Sequence, residues 1–436
     1  MNAATRDFVE KHLKDDVHRL ALQKFPDDVD KMLVLNQIEA RQLLSKKVPS
    51  WASNPDLLFP KHLSIEQCSS ELTAKYKASI IEGGDTFVDL TGGLGIDSYF
   101  LSEKFKKSYY VENQKELCDL AEHNFDVLGR KITVVNSDAE SFLNDCNCGK
   151  TCLDTIGCDN LTSCGDNARV VLYIDPARRD IYNRKMVSLH DCSPDVVKIV
   201  ETFHETSHRK SSFLIKASPM LDISLITNEL QNISEIHIVS VKNECKEILI
   251  KIEPGFDGEI KYFCVNLQNR TVISTGAKRS GDPSEARAFT IGEKISFEFS
   301  ENSESSANST FATTIKRYLY EPNASLMKSG AFKLISQRFG IEKLHVNSHL
   351  YTSDNLVSDF PGRIFEVVGF APFNKKIKKE LLNDITEASV ATRNFPLSAN
   401  DLRKTLNLKE SDKNFVFGTT LIGEKKMVIL AKKYKE

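Results

Sequence analysis

The chain has 436 residues, 41% of them hydrophobic and 27% charged, and a formal net charge of −2. This length allows two or three globular domains, and the near-neutral charge excludes a global attraction to nucleic acid. No apolar run reaches the roughly 20 residues of a membrane helix, and the first residues are polar. We therefore expect a cytoplasmic protein that does not bind a membrane.

The first part of the chain, residues 1–80, is predicted to be an amino-terminal helical region. Apolar residues recur at helical spacing from Leu33 to Leu43. The segment Trp51–His62 contains two prolines and is predicted to be a loop. A further helix, capped by Ser64, is predicted to continue through Ala78.

Short apolar segments alternate with amphipathic segments between residues 81 and 255. The predicted strands are Phe87–Leu90, Lys107–Glu112, Ile132–Asn136, Val170–Asp175, Phe213–Ala217 and Ile236–Val241. The predicted helices between them include Gly95–Lys104, Lys115–Leu128 and Pro194–His204. This alternation is typical of an α/β fold, here a Rossmann-like parallel sheet covered by helices.

The pattern changes from residue 246 onward, where short strands follow one another without intervening helices. Residues 256–328 are predicted to be a β-rich segment, and residues 329–436 an α+β domain. The Ser/Asn/Glu-rich stretch Ser300–Ser309 is expected to be a loop. Predicted strands are Ile248–Ile252, Ile260–Leu267, Thr271–Ser274 and Ile295–Phe299.

A glycine-rich turn follows the first predicted strand. Glycines allow a backbone to approach a ligand closely, and ligands of such sheets lie beyond the carboxyl ends of the strands. Asp89 precedes the turn, where its charge would repel a pyrophosphate and suit a cationic ligand. Ser98 occupies the third glycine position of the dinucleotide pattern, so the sequence favours S-adenosylmethionine over NAD. The predicted cofactor-binding turn contains Thr91, Gly92, Gly93 and Gly95.

Acidic residues end the next two predicted strands. Glu112 is placed to accept hydrogen bonds from the two ribose hydroxyls, a feature common to NAD and S-adenosylmethionine sites. Asp138 is placed to accept a hydrogen bond from the adenine amine. The alternative for each is a solvated acid at a strand end. Their order after Asp89 favours the binding role.

The fourth predicted strand ends in Asp175-Pro176-Ala177-Arg178. Asp175 is placed beside the transferable methyl group, where it would bind cofactor and hold the acceptor or take its proton. Pro176 fixes the backbone and removes a donor. Arg178 is a candidate for gripping phosphate, or else a surface ion-pair partner. Lys216, at the end of the fifth strand, is either a substrate contact or an exposed strand-end lysine.

Five cysteines lie close together before the fourth strand. Their spacing is irregular and no histidine lies among them, which favours a polar insertion with incidental thiols over a metal site. We therefore assign no metal. The cysteines are Cys146, Cys148, Cys152, Cys158 and Cys164.

The chain resembles the class I S-adenosylmethionine-dependent methyltransferases, and more narrowly the bacterial enzymes with a carboxyl-terminal THUMP-like domain. The resemblance implies an S-adenosylmethionine cofactor and an RNA substrate, tRNA or rRNA. It assigns Asp89, Gly92, Gly93 and Gly95 to the cofactor turn, and Asp175 and Pro176 to the start of an Asp-Pro-Pro-Tyr type motif. The matching segments are Glu66–Glu71, Asp89–Gly95, Asp175–Arg179, Ser218–Asp222 and Arg393–Ser398.

The chain departs from that motif at Ala177 and Arg178, which replace a proline and the aromatic residue that would stack on a flipped base. This weakens the case for methylation of a base nitrogen. Residues 330–436 contain 14 lysines and 4 arginines against 5 aspartates and 7 glutamates, a net charge of +6 that suits nucleic acid. The alternatives are a methyltransferase for a small molecule or protein, a non-catalytic nucleic-acid-binding protein with this fold, and a nicotinamide oxidoreductase.

Overall fold

A computed structural model describes residues 1–60, 62–147, 169–178, 188–206, 211–268 and 295–434. The chain forms two compact units. The first contains the described residues of Met1–Ile236, Glu247–Gly258 and Leu267–Glu293, and the second those of His237–Lys246, Glu259–Asn266 and Lys294–Glu436. The predicted features that lie outside the described residues include Cys148 to Cys164, the strand Thr271–Ser274, Arg179 and the side chains of Ser64, Cys146 and Arg178.

The amino-terminal region of the first unit is helical, as predicted. In α3 the buried stripe is formed by Val34, Ile38 and Leu44, whereas Leu43 is 36% exposed. The helices are α1 Ala3–His12, α2 Val17–Ala21, α3 Lys31–Lys47, α4 Pro49–Ala52, α5 His62–Gln67 and α6 Glu71–Ile80.

Two details of the helical prediction are wrong. Trp51 lies in α4, which begins with Pro49 because the missing N–H of proline costs nothing in a first turn. The predicted helix from Ser64 is divided into α5 and α6, and Ser64 lies inside α5 instead of capping it. Ser70 ends the break between them, since its hydroxyl accepts the N–H of Thr73 at 3.2 Å and caps α6.

The α/β part of the first unit has the predicted alternation, and the boundaries of the elements predicted in it differ from the prediction by at most four residues. Its strands are β1 Gly84–Asp89, β2 Phe105–Glu112, β3 Thr133–Asn136, β4 Val170–Ile174, β5 Ala177–Arg178, β6 Cys192–Ser193, β7 Ser211–Ala217, β8 Ile233–Val241 and β9 Glu244–Ile252. Its helices are α7 Ile96–Leu101, α8 Lys115–Val127, α9 Ala139–Asn147, α10 Val196–Thr206 and α11 Ile223–Glu229, with 3₁₀ turns at Ser102–Lys104 and Leu189–Asp191.

These strands form a parallel-rich sheet in the order β9-β7-β4-β1-β2-β3. The pairs β7–β4, β4–β1, β1–β2 and β2–β3 are parallel, and β9 pairs antiparallel with β7. All five residues of β4 are buried, as is typical of a strand covered on both faces. The carboxyl ends of β1, β2, β4 and β7 therefore meet at one edge. β8 and β9 are each divided between the two units.

An antiparallel pair, β10 Lys261–Leu267 and β11 Ile295–Ser300, lies in the second unit except for Leu267. Helix α12, Glu301–Ser306, occupies the stretch predicted to be a loop. The hydroxyls of Ser300 and Ser303 each accept the other residue's backbone N–H, and this capping box stabilises a helix in a polar sequence.

A seven-stranded sheet forms most of the second unit, in the order β13-β14-β12-β15-β18-β17-β16. Neighbouring residues of β18 point to opposite faces, where Ile429 and Val428 pack into separate apolar cores. Its strands are β12 Tyr318–Pro322, β13 Glu342–Lys343, β14 Tyr351–Ser353, β15 Gly362–Pro372, β16 Ser389–Arg393, β17 Phe415–Thr420 and β18 Lys426–Lys433. Its helices are α13 Ala324–Ser329, α14 Phe332–Phe339, α15 Ile377–Leu381 and α16 Ala399–Thr405.

The predicted fold class, an α/β sheet with a helical amino-terminal segment and a carboxyl-terminal α+β part, is confirmed. Within the described ranges, no helix combines the length and the apolar character needed to cross a membrane.

Candidate functional site

The turn between β1 and α7 is built so that only glycine fits. A Cβ atom on Gly92 would lie 2.2 Å from the ring of Tyr110. Gly93 and Gly95 have φ angles of 55° and 79°, in the left-handed region that side chains disfavour. The Tyr110 hydroxyl donates to the Gly93 carbonyl at 2.6 Å. The turn is therefore held close against β2 with its backbone at the carboxyl edge of the sheet.

Asp89, the last residue of β1, is only 1% exposed. Its carboxylate accepts the hydroxyl of Ser98 and, at 3.0 Å, the backbone N–H of Thr91. Burial raises its pKa to about 7. Because protein donors contact both oxygens, Asp89 would affect a ligand beyond the strand through its charge, which is complete only above neutral pH.

Glu112, at the end of β2, contacts the same turn. One carboxylate oxygen accepts the N–H of Gly93 at 3.0 Å, and the other accepts the N–H of Gln114 at 2.9 Å. A carboxylate has about four acceptor positions, so capacity for further donors remains. Asp138 is exposed and accepts the N–H of Ser141 at 2.8 Å, which lowers its pKa and caps α9.

Asp175 follows β4 and is tied to the glycine turn and to β7. Its N–H donates to the Thr91 hydroxyl at 2.6 Å, and its Oδ2 lies 2.6 Å from the Lys216 ammonium. Lys216 is 15% exposed at its side chain, so it is not an exposed strand-end lysine. Burial favours its neutral form, but Asp175 and two further carboxylates outweigh burial and raise its pKa above 10.5. Pro176 is half-buried beside this ion pair.

Several polar residues behind this pair were missed by the sequence interpretation. Lys77 of α6 is fully buried and lies within 3.2 Å of both Asp97 and Glu247. The hydroxyls of Ser69 and Tyr173 donate to Asp97. The available signal was that Lys77 lies three residues after Ala74 and so on the same buried side of α6, because a buried lysine needs a carboxylate partner.

The structure thus joins Asp89, Thr91, Glu112, Asp175 and Lys216 through direct contacts or through the turn they share. Asp138 lies two residues beyond the neighbouring strand β3 and has no described contact to this group. Among the described residues, no group of histidine, cysteine, aspartate or glutamate side chains is arranged to hold a metal ion.

Comparison with protein families matches residues 318–361 to a ferredoxin-like domain and residues 362–433 to a THUMP domain-like family. A crystal structure of a candidate methyltransferase from Porphyromonas gingivalis W83 is 30% identical to this chain, with a TM-score of 0.78. The alignment covers 99% of this chain and 98% of that chain.

Other solved structures are less similar. A candidate methyltransferase from Streptococcus mutans, solved with SAH, is 13% identical, with a TM-score of 0.28 over 42% of this chain and 96% of that chain. TrmK from M. capricolum, also solved with SAH, is 12% identical, with a TM-score of 0.29 over 42% of this chain and 68% of that chain. No curated protein matches the chain. On its full-length similarity to the Porphyromonas gingivalis protein and on its THUMP-like part, the chain belongs to the class I methyltransferases that carry a carboxyl-terminal THUMP-like domain.

Proposed function

We propose that the protein is an S-adenosylmethionine-dependent methyltransferase that acts on RNA, tRNA or rRNA. The observation that carries this proposal is the meeting of the Gly92–Gly95 turn, Glu112 and the Asp175–Lys216 pair at one edge of the parallel sheet. Ligands of such sheets bind at that edge.

The residues at the edge fit this cofactor. A Cβ at Gly92 would collide with Tyr110, so the backbone is held where a ligand can approach it. In the proposal, the charge of Asp89 favours a cationic ligand. Glu112 accepts hydrogen bonds from the ribose hydroxyls, and Asp138 accepts a hydrogen bond from the adenine amine. When bound, S-adenosylmethionine supplies a methyl group that its sulfonium has already activated. The protein has to align and desolvate the acceptor.

The acceptor side of the site is assigned to Asp175, Pro176, Arg178 and Lys216. Lys216 holds Asp175 through Oδ2, and Thr91 fixes the Asp175 backbone. We assign Oδ1 of Asp175 to the acceptor group, which it would orient by accepting a hydrogen bond. Arg178 would contact an RNA phosphate.

An RNA substrate is supported by the THUMP domain-like match at residues 362–433 and by the charge of that part of the chain. Lys375, Lys376 and Lys379 are exposed around α15, and Lys425 and Lys426 are exposed at the start of β18. Lysines in such numbers bind phosphate irrespective of sequence. A small-molecule acceptor would give these lysines no role in turnover.

The test is to incubate the protein with labelled S-adenosylmethionine and total RNA from a strain that lacks it, and then to identify the labelled nucleoside. Asp175→Ala should abolish the label while cofactor affinity changes by less than about tenfold. Lys375→Glu/Lys376→Glu should lower RNA methylation in a salt-dependent way, whereas Lys14→Glu/Lys24→Glu, the same charge change on exposed residues of the first unit, should not. Labelling of small molecules or proteins with no RNA label would reject the RNA substrate.

A further inference from the structure

A cluster of buried charged and hydroxyl groups lies behind the Asp175–Lys216 pair in the first unit. Lys77 is 0% exposed, Glu247 2% and Asp97 8%. Ionised groups at this depth are stable only when they are paired, and removing one member leaves an uncompensated charge. None of them is needed to hold the cofactor in the proposal above. The cluster consists of Ser69 before α6, Lys77 in α6, Asp97 in α7, Tyr173 in β4 and Glu247 in β9.

The members of the cluster contact one another directly. The Lys77 ammonium donates to the Ser69 hydroxyl and to both carboxylate oxygens of Glu247, each at 3.0 Å. One oxygen of Asp97 accepts from Ser69 at 2.6 Å and from Tyr173 at 2.7 Å. The other lies 3.2 Å from the Lys77 ammonium and makes no hydrogen bond, so that contact is purely electrostatic. Residues of the amino-terminal helical region thereby hold a carboxylate of the α/β part.

Glu247 and Lys216 lie on the same face of neighbouring strands, because Lys216 pairs with Leu249, two residues after Glu247 in β9. The cluster therefore lies beside Lys216 and is coupled to it electrostatically. Burial by itself would lower the pKa of Lys216, but Asp175, Glu247 and Asp97 together raise it above the ordinary lysine value. Burial likewise opposes the charge of Asp97, whereas Lys77 and Lys216 lower its pKa below 3.8. Further titratable groups that interact with Asp97 or Lys216 are Cys68, Tyr173 and Asp89.

We propose that Lys77 and Glu247 are positioning residues for methyl transfer, which keep Asp97 and Lys216 charged so that Lys216 fixes the Asp175 carboxylate against the acceptor. This inference rests on the proposed function. Its consequence is that helix α6, outside the parallel sheet, belongs to the methyltransferase centre. A displacement of a reacting group by about 1 Å can cost about 100-fold in rate. A small shift of the Asp175 carboxylate should therefore lower kcat measurably.

The experiment measures kcat for RNA methylation at saturating cofactor between pH 5 and pH 10. Neither Asp97 nor Lys216 should give the wild type a limb in this range, because the pKa of Asp97 lies below 3.8 and that of Lys216 above 10.5. Lys77→Met removes a cation that lowers the pKa of Asp97, so an acid limb should move up towards this range. Glu247→Gln removes an anion that raises the pKa of Lys216, so an alkaline limb should move down towards it. Each single variant should lose about 10- to 100-fold in kcat at pH 7.5, with the KM for cofactor changed by less than about twofold.

The double variant Lys77→Met/Glu247→Gln removes one cation and one anion together. It should return both limbs towards the wild-type positions and recover part of the kcat, because the charge balance around Asp97 and Lys216 is restored. Lys77→Arg should retain activity within a few-fold. The matched control is Lys75→Met in the same helix, where the lysine pairs with Glu71 outside the cluster. Its kcat and pH limbs should stay at wild-type values.

A purely structural role predicts a different pattern. The kcat of each variant would then follow its folded fraction, measured by circular dichroism, with no movement of either limb and no recovery in the double variant. That result, obtained with an active wild type, overturns the inference and leaves the proposed function standing. A wild-type protein that binds no cofactor and methylates no RNA overturns the proposed function, and the inference with it.

Discussion

Because the carboxyl group of Asp89 is buried, we expect Asp89→Asn to stabilise the protein and to weaken its affinity for the cofactor. Burial raises its pKa from 3.8 to about 7, so the folded protein binds this proton more tightly than the unfolded chain does. Between these two values, stability falls as pH rises. Above pH 7 the loss is complete and amounts to about 4 kcal/mol, at 1.36 kcal/mol for each pH unit.

Asp89→Asn removes this cost, because an amide does not ionise. Without cofactor, the variant should unfold at a higher temperature than the wild type at pH 8, by about 8 °C, and the two should converge near pH 4. Differential scanning calorimetry across this pH range measures the difference. A variant less stable than the wild type at pH 8 would contradict the burial argument.

Cofactor affinity should change in the other direction. If a bound cation requires the ionised form of Asp89, affinity falls by about tenfold for each pH unit below 7. Isothermal titration calorimetry from pH 5 to pH 7 should show this slope for the wild type and a weak, pH-independent affinity for Asp89→Asn. S-adenosylhomocysteine lacks the sulfonium charge, so a slope with S-adenosylmethionine alone assigns that charge as the partner. An equal slope with both ligands assigns the ammonium group. A flat wild-type profile with both ligands would falsify the electrostatic role of Asp89.

Three further substitutions have defined outcomes. Gly92→Ala places a Cβ 2.2 Å from the Tyr110 ring, so it should cost about 1–3 kcal/mol in unfolding free energy and reduce cofactor affinity in a titration. Thr91→Val leaves the N–H of Asp175 without its acceptor, which should lower kcat by about tenfold in a labelled-methyl assay while cofactor binding persists. Glu321→Gln removes the buried charge that pairs with two arginines, so the free energy of unfolding of the second unit should fall by about 2 kcal/mol. An unchanged thermal melting profile would contradict the structural role of Glu321.

The sheet and its turn were predictable because they depend on local rules. An unbroken apolar run such as β4 fits only a strand covered on both faces. Gly92, Gly93 and Gly95 directly after a strand indicate a backbone turn that approaches a ligand. The helix α12 was missed because a capping box of two serines outweighed a composition typical of loops.

The contacts within the site could not be predicted from sequence. Lys216 was open to two interpretations until the structure brought it within 2.6 Å of Asp175, 41 residues earlier in the chain. The contact between Lys77 and Glu247 spans 170 residues. No periodicity or motif in the sequence indicates that Lys216 pairs with Asp175 or Lys77 with Glu247. The pairing of buried charges is set by the packing of elements that are distant in sequence.

The sequence by itself determined the alternation of strands and helices in the α/β part, the glycine turn and the acidic residues near the strand ends, because these follow from periodicity, sterics and spacing along the chain. Only the tertiary structure decided that Asp89 is buried with a raised pKa and that α6 contributes a lysine behind the site. Burial and charge pairing arise when segments far apart in sequence pack together, so they are properties of the folded chain.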